Sequence, residues 1–284
     1  MTGYDPALQA FVQSVRDSLE IEFLPRSERA KDLWRVTISE TLIAGLPCQV
    51  VRPPDANPPS TLLYLFGGGY VSGSPDYELP ITAALAVQAD ATVIAPRYPL
   101  APEHPIPRTL DRVTDLWEEL SATSDDLSLA GESAGGGLAL SLVHACADRA
   151  LALPRSLTLF SPWTDLTEAG VAATRVQDDP TVNSDELGQM ARAALLGFDA
   201  NHPSASPGLA PFAPNWPATY LSTGQRDILR PGVLALYEKL CKSGHVCHLH
   251  DAKDMWHVFE LYDETDKAAD SLIKAAAFIK DQSA

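Results

Sequence analysis

Short runs of consecutive hydrophobic residues alternate along this chain with longer segments in which hydrophobic residues recur at helical spacing. A strand with one solvent-exposed face alternates hydrophobic and polar residues. The continuous hydrophobic runs therefore predict strands that are buried on both faces. Strands are predicted at 34–42, 46–52, 61–66, 91–96, 127–130, 156–161, 219–223 and 246–250. Helices are predicted at 7–23, 79–89, 108–120, 134–149, 231–243 and 265–281.

The order of these elements predicts the fold class. The first two strands pair around a turn at Gly45, and most later strands alternate with helices, which indicates an α/β fold with a mainly parallel central sheet and helices on both faces. Residues 1–30 and 166–205 fall outside this alternation, and we expect them to form a helical cap over the sheet. An ordinary surface excursion is the alternative for 166–205. The main domain then comprises 31–165 and 206–284.

Composition narrows the range of partners. The chain has 284 residues, with 21 Lys and Arg against 37 Asp and Glu, a net charge of −16. Such a surface repels nucleic acid and anionic lipid, so neither is an expected partner. The amino terminus lacks the pattern of a signal peptide, no stretch approaches the roughly 20 apolar residues of a membrane span, and four cysteines form no CxxC pair. We therefore expect a cytoplasmic protein with reduced thiols.

A Gly-x-Ser-x-Gly sequence at 131–135 follows directly on the predicted strand 127–130 and precedes a predicted helix. This strand–turn–helix context is typical of a nucleophile elbow, in which a tight turn exposes the serine hydroxyl at the end of the sheet. Ser133 is thereby predicted to be a nucleophile. The alternative is a turn of small residues with no catalytic role, since Gly-x-Ser-x-Gly sequences also occur by chance.

A serine hydroxyl needs a base to take its proton, and the base needs a carboxylate that orients it. In this fold class the acid and then the histidine follow the serine, at the carboxyl ends of later strands. His257 lies in a loop after the last predicted strand and is the predicted base. Asp227, just past the strand 219–223, is the predicted acid. Asp251 and Asp254 share the final loop with the histidine and are the alternative candidates for the acid.

A negatively charged intermediate requires backbone N–H donors. One is expected from Ala134, the residue after the serine, and others from the triple glycine at 67–69, directly after the strand 61–66. A flexible turn is the alternative for this loop. A dinucleotide-binding fingerprint would need a glycine where Ser72 stands.

Metal and cofactor sites are not expected. His248 and His250 would share one face of a strand, but no third ligand stands at a familiar spacing from them. The chain contains neither a Walker loop nor an HExxH helix.

Several motifs in order resemble those of the hormone-sensitive-lipase family of esterases, over about residues 60–260. GESAGG at 131–136 resembles the family's GDSAGG, and YPLAPEHP at 98–105 resembles its YRLAPEHP. SPWTDL at 161–166 is similar to the segment before the family's cap, DILR at 227–230 to its DPLR, and MWHVF at 255–259 to its histidine loop.

The resemblance implies an α/β-hydrolase fold with a helical cap, often dimeric, that cleaves short- or medium-chain carboxylic esters without a cofactor. Its expected partners are therefore a small-molecule ester and a second copy of the chain as a homodimer. The family's oxyanion donors correspond here to Gly68, Gly69 and Ala134. Tyr70 and Trp163 are expected to shape the substrate pockets. One departure is Phe66, which replaces the histidine that helps to hold the family's HGGG loop.

The mechanism implied by these residues is a two-step acyl transfer through Ser133. Two alternatives stay open at this point. One is a non-catalytic binding protein with the same fold, which Phe66 favours and the complete set of Ser133, Asp227 and His257 disfavours. The other is an amidase or lactonase that uses the same three residues.

Overall fold

The computed structural model describes residues 5–54, 56, 58–176 and 178–283, and within them eight strands form one sheet. The strands are β1 (Thr37–Ile43), β2 (Leu46–Arg52), β3 (Ser60–Leu65), β4 (Ala91–Pro96), β5 (Leu127–Glu132), β6 (Ser156–Phe160), β7 (Ala218–Gly224) and β8 (Cys247–Ala252). Their order is β1-β2-β4-β3-β5-β6-β7-β8. Strand β2 is antiparallel to β1 and β4, and the other neighbouring pairs are parallel.

Helices connect and flank these strands: α1 (Pro6–Trp34), α2 (Leu79–Ala89), α3 (Ile106–Ser121), α4 (Ser133–Asp148), α5 (Glu168–Ala173), α6 (Ser184–Leu195), α7 (Arg230–Lys242) and α8 (Asp266–Gln282). Helix α2 packs against α8, and α3 packs against α4. Every residue of β4, β5 and β6 is buried, as the continuous hydrophobic runs predict. The predicted fold class, an α/β fold with a mainly parallel sheet, is confirmed.

The first helix is longer than predicted. The hydrophobic pattern predicts a helix over 7–23, but α1 continues through Pro25 to Trp34, so the strand expected from residue 34 begins only at Thr37. Proline removes one hydrogen bond to the carbonyl four residues earlier. That residue is Ile21, whose exposure of 77% lets water replace the missing bond. Helix α1 ends where Arg35 adopts a left-handed conformation.

Both segments outside the alternation contain helices. Helix α1 occupies most of 1–30, and α5 and α6 occupy part of 166–205. Helix α1 packs against α2 and also contacts α6. Residues 1–4, 55, 57, 177 and 284 of the predicted domains lie outside the described residues. No helix in the part of the chain that the structure describes has the length and hydropathy needed to span a bilayer.

Candidate active site

The chain turns sharply from β5 into α4 at Ser133, whose φ is +51°. Glycine is required on both sides of this turn. A Cβ atom at Gly131 would lie 2.7 Å from the carbonyl oxygen of Gly135, and one at Gly135 would collide with the carbonyl oxygens of Leu65 and Phe66. The turn therefore brings the serine against the end of β3 and leaves its hydroxyl at the carboxyl edge of the sheet.

Three residues that are distant in sequence meet at this edge, because the parallel strands β5, β7 and β8 all end there. The Ser133 Oγ atom lies 2.9 Å from His257 Nε2, and His257 Nδ1 lies 2.9 Å from Asp227 Oδ1. A carboxylate can only accept, so the neutral imidazole donates its Nδ1 proton to Asp227 and accepts the serine proton at Nε2.

The competing acids lie elsewhere. Asp251 forms an ion pair with Arg230, with Oδ2 and Nη2 2.7 Å apart. Asp254 is exposed in a left-handed turn with φ +63°. Asp227 is fully buried, accepts a hydrogen bond from the Thr223 hydroxyl at 2.7 Å and another from the Leu229 N–H at 2.9 Å. The geometry therefore selects Asp227 as the partner of the histidine.

The glycine loop after β3 lies beside the serine. Gly68 and Gly69 have φ values of +98° and +64°, which side chains rarely tolerate. A Cβ atom at Gly69 would also collide with Sδ of Met190 from α6. In the described part of the chain the N–H groups of these two glycines donate to no other residue. They and the N–H of Ala134, in the first turn of α4, are available to a bound oxyanion.

Ser133 and His257 lie on the wall of a cavity of about 310 Å³. Residues from α1 and α6 supply most of its hydrophobic wall, although they are far from the serine in sequence. The hydrophobic lining includes Phe11, Val15, Leu19, Phe23, Val182, Leu187, Met190, Val258 and Leu261. The cavity thus lies between helices α1 and α6, which are outside the strand–helix alternation, and the edge of the sheet that carries Ser133 and His257.

A family model described as the alpha/beta hydrolase fold matches residues 62–261. The chain belongs to the α/β-hydrolase family. The acetyl-hydrolase of Streptomyces hygroscopicus is 32% identical over 206 residues, 71% of this chain and 69% of that protein. The ethyl acetate hydrolase of Pseudomonas putida is 31% identical over 238 residues, 77% of this chain and 75% of that protein.

Solved structures agree with this assignment. The crystal structure of EstE5 soaked with p-nitrophenyl butyrate matches with a TM-score of 0.84 at 26% identity, covering 98% of this chain and 99% of that chain. The predicted resemblance to the hormone-sensitive-lipase esterases is confirmed, and the chain is a hydrolase of this carboxylesterase group.

Opposing effects act on the pKa values of Asp227 and His257. Burial would raise the pKa of Asp227, but the positive charge and hydrogen bond of His257, with the Thr223 hydroxyl, outweigh it and lower that pKa below its ordinary value. Burial would lower the pKa of His257, but the charge and hydrogen bond of Asp227, with the charges of Asp179 and Glu260, raise it above 6.5. The pair is therefore arranged to stabilise an imidazolium when the histidine takes a proton.

The glycine loop is held in place by contacts that do not require the histidine of the family motif. The Phe66 ring stacks on the Tyr98 ring, with centroids 4.0 Å apart and planes at 9°. The Tyr98 hydroxyl donates a hydrogen bond to the carbonyl oxygen of Phe66. The Ser72 hydroxyl donates to the carbonyl oxygen of Gly68 at 2.8 Å. Phe66 is thus part of the support of the loop rather than a gap in it.

Glu132, the residue before Ser133, also holds the glycine loop. Its buried carboxyl group accepts a hydrogen bond from the backbone N–H of Gly67. Burial raises the pKa of Glu132 well above its usual range, and the nearby carboxyl group of Glu78 raises it further. This environment therefore favours the neutral form of the side chain. Sequence reasoning noted this glutamate only as a variant of the motif aspartate, because its partner lies 65 residues away.

Replacing Glu132 tests whether its hydrogen bond to the Gly67 N–H stabilises the protein. Glu132→Gln keeps an oxygen that accepts from the Gly67 N–H and carries no charge, as the buried surroundings favour, so it should unfold at nearly the wild-type temperature. Glu132→Ala leaves the Gly67 N–H buried without a partner and should destabilise the protein by about 1–3 kcal/mol. Thermal and urea unfolding measure the difference, and equal losses in both variants would contradict this account.

Two residues predicted to shape the substrate pockets do not line the cavity. Tyr70 and Trp163 are buried, at 2% and 1% exposure, and their ring centroids lie 6.1 Å apart. The Tyr70 hydroxyl lies where a Cβ atom of Gly137 would stand, so the missing side chain of α4 makes room for it. Neither ring lines the cavity that contains Ser133 and His257, and Trp163 instead lines a second cavity beside Pro162 and Thr164.

The two histidines considered as metal ligands have other surroundings. The His248 ring packs edge-on against the Phe278 ring, and His250 Nε2 lies 4.0 Å from the Asp270 carboxylate. Within the described ranges, no three His, Cys, Asp or Glu side chains form a cluster that could bind a metal ion.

Proposed function

We propose that this carboxylic ester hydrolase cleaves short- to medium-chain esters through an acyl-enzyme formed on Ser133, with His257 as the base and Asp227 as the acid that orients it. The observation that carries the proposal is the continuous hydrogen-bonded series of the three side chains at 2.9 Å per step, on the wall of a cavity. A protein that only bound a ligand would have no need of this alignment.

The reaction follows from the geometry. His257 Nε2 takes the hydroxyl proton as Ser133 Oγ attacks the ester carbonyl, and the resulting oxyanion accepts hydrogen bonds from the N–H groups of Gly68, Gly69 and Ala134. The imidazolium gives its proton to the departing alcohol. Water then attacks the acyl-serine with the same histidine as its base, which releases the carboxylic acid and restores the serine.

The size of the cavity supports small substrates. Its volume of about 310 Å³ is at the lower end of the ~300–1,000 Å³ that is usual for small-molecule sites. The hydrophobic wall suits an acyl chain, since each buried methylene contributes about 0.8 kcal/mol. An acetyl-hydrolase and an ethyl acetate hydrolase among the relatives also support small esters.

We also propose that 1–30 and 166–205 form the two parts of a cap on the catalytic domain of 31–165 and 206–284. Phe11 and Val15 of α1, and Leu187 and Met190 of α6, line the cavity from outside the strand–helix alternation. These helices would close the space above the serine and limit the length of the acyl chain.

A series of p-nitrophenyl esters tests the proposal. We expect kcat/KM to rise from acetate to butyrate by roughly four-fold per methylene, and to fall for chains of 12 carbons or more, which exceed the cavity. A parallel assay with the butyryl anilide and butyrolactone distinguishes ester from amide and lactone hydrolysis. A preference for palmitate, or faster cleavage of the anilide than of the ester, would overturn the proposal.

A further inference from the structure

The carboxylate of Asp179 contacts both the loop that carries Asp227 and the loop that carries His257. Asp179 lies between α5 and α6, and its Oδ2 atom accepts hydrogen bonds from the backbone N–H groups of Ile228 and His257, each at 2.9 Å. Ile228 directly follows Asp227. A single oxygen atom therefore bridges the loop after β7 and the loop after β8.

The bridging carboxylate is itself held in place. Its other oxygen, Oδ1, accepts hydrogen bonds from the N–H and the hydroxyl group of Thr181 at 2.8 and 2.7 Å. Thr181 and Val182 line the catalytic cavity. The chain at 179–182 thus runs from the catalytic loops to the cavity wall, and the orientation of its carboxylate is fixed by four hydrogen bonds.

We propose that Asp179 is a positioning residue for hydrolysis, which holds the backbones of the two loops so that His257 reaches both Ser133 and Asp227. This inference rests on the proposed function. Hydrogen bonds from backbone N–H groups to an ionised carboxylate are stronger than bonds between neutral groups. A catalytic group that is misplaced by about 1 Å can cost roughly 10²-fold in rate.

The charge of Asp179 also acts on the base. The ionisable groups that face His257 are Asp227, Asp179 and Glu260, and together they outweigh burial and raise the histidine pKa above 6.5. The base must be neutral to accept the serine proton, so kcat/KM should fall as the pH drops through that pKa. Removing the charge of Asp179 should lower the histidine pKa and move this acid limb to lower pH.

The test compares Asp179→Asn and Asp179→Ala with the control Asp178→Asn. The control removes one charge at the adjacent position, where the side chain is 99% exposed and pairs with Arg226 at 3.5 Å. For p-nitrophenyl butyrate we expect Asp179→Asn to shift the acid limb down by roughly half a pH unit. Asp179→Ala should lower kcat by about 10- to 10²-fold with little change in KM. The control should match the wild type.

A second measurement separates this inference from the proposed function. Titration of the His257 ring by NMR reads its pKa in folded protein without turnover, and Asp179→Asn keeps an acceptor oxygen for both N–H groups. A lower histidine pKa in this variant, but not in Asp178→Asn, supports the inference even if the wild type cleaves no ester. An unchanged pKa together with wild-type kcat in both Asp179 variants would overturn it, as would an equal shift in the control.

Discussion

Ser133→Ala should lower kcat/KM for p-nitrophenyl butyrate by roughly 10⁴- to 10⁶-fold. The substitution removes the only atom that can form the acyl-enzyme at this turn, and His257 then has no hydroxyl proton to accept. The residual rate would come from water activated by the histidine near the three N–H donors. Because the serine side chain is small and contacts the rest of the site through one hydrogen bond, thermal unfolding should stay close to that of the wild type.

The matched control is Ser121→Ala. This serine lies half-buried at the end of α3, away from the cavity, and its hydroxyl group donates to the carbonyl oxygen of Glu118. Its kcat/KM should equal that of the wild type within error. If Ser133→Ala kept most of the activity while remaining folded, the nucleophile would have to be another group.

Asp227→Asn is expected to have the second largest effect, a loss of about 10⁴-fold in kcat. The carboxylate is fully buried, and the donors around it include the His257 ring, the Thr223 hydroxyl and the Leu229 N–H. An amide cannot accept from all three, since one of its two polar atoms is itself a donor. It also carries no charge to stabilise the imidazolium.

The control for this variant is Asp254→Asn, which changes the competing acid in the same way. Asp254 is exposed in a left-handed conformation, which asparagine adopts readily. Its activity should be unchanged, and kcat should be compared at several pH values because the loss of Asp227 also lowers the histidine pKa. A large loss in Asp254→Asn with little loss in Asp227→Asn would reverse the assignment of the acid.

The elements nearest Ser133 could be predicted from local sequence. A continuous hydrophobic run followed by glycine, serine and glycine leads to β5, the turn at Ser133 and α4, because close approach to β3 excludes any Cβ atom at Gly135. The positions of Asp227 and His257 followed from a general property of parallel sheets, whose strands end at the same edge. The distances between the three side chains could not be predicted from the sequence and come from the structure.

Other features depend on contacts that local patterns do not encode. Helix α1 passes through Pro25 because the affected turn is exposed to water, which no hydrophobic spacing reveals. Glu132 and Asp179 act on backbone N–H groups at Gly67 and His257, and a backbone donor leaves no residue type to recognise. The position of Tyr70 depends on the space left by Gly137 of α4, which is distant in sequence.

If Ser133 is the nucleophile of an acyl-transfer site, an electrophile that reacts with activated serines should label this residue covalently. Wild-type protein and Ser133→Ala would be incubated with a fluorophosphonate, digested and mapped by mass spectrometry. We expect one adduct, on the peptide that contains Ser133, in the wild type and none in the variant. An unlabelled but folded wild type, or an adduct that persists in Ser133→Ala, would contradict the account.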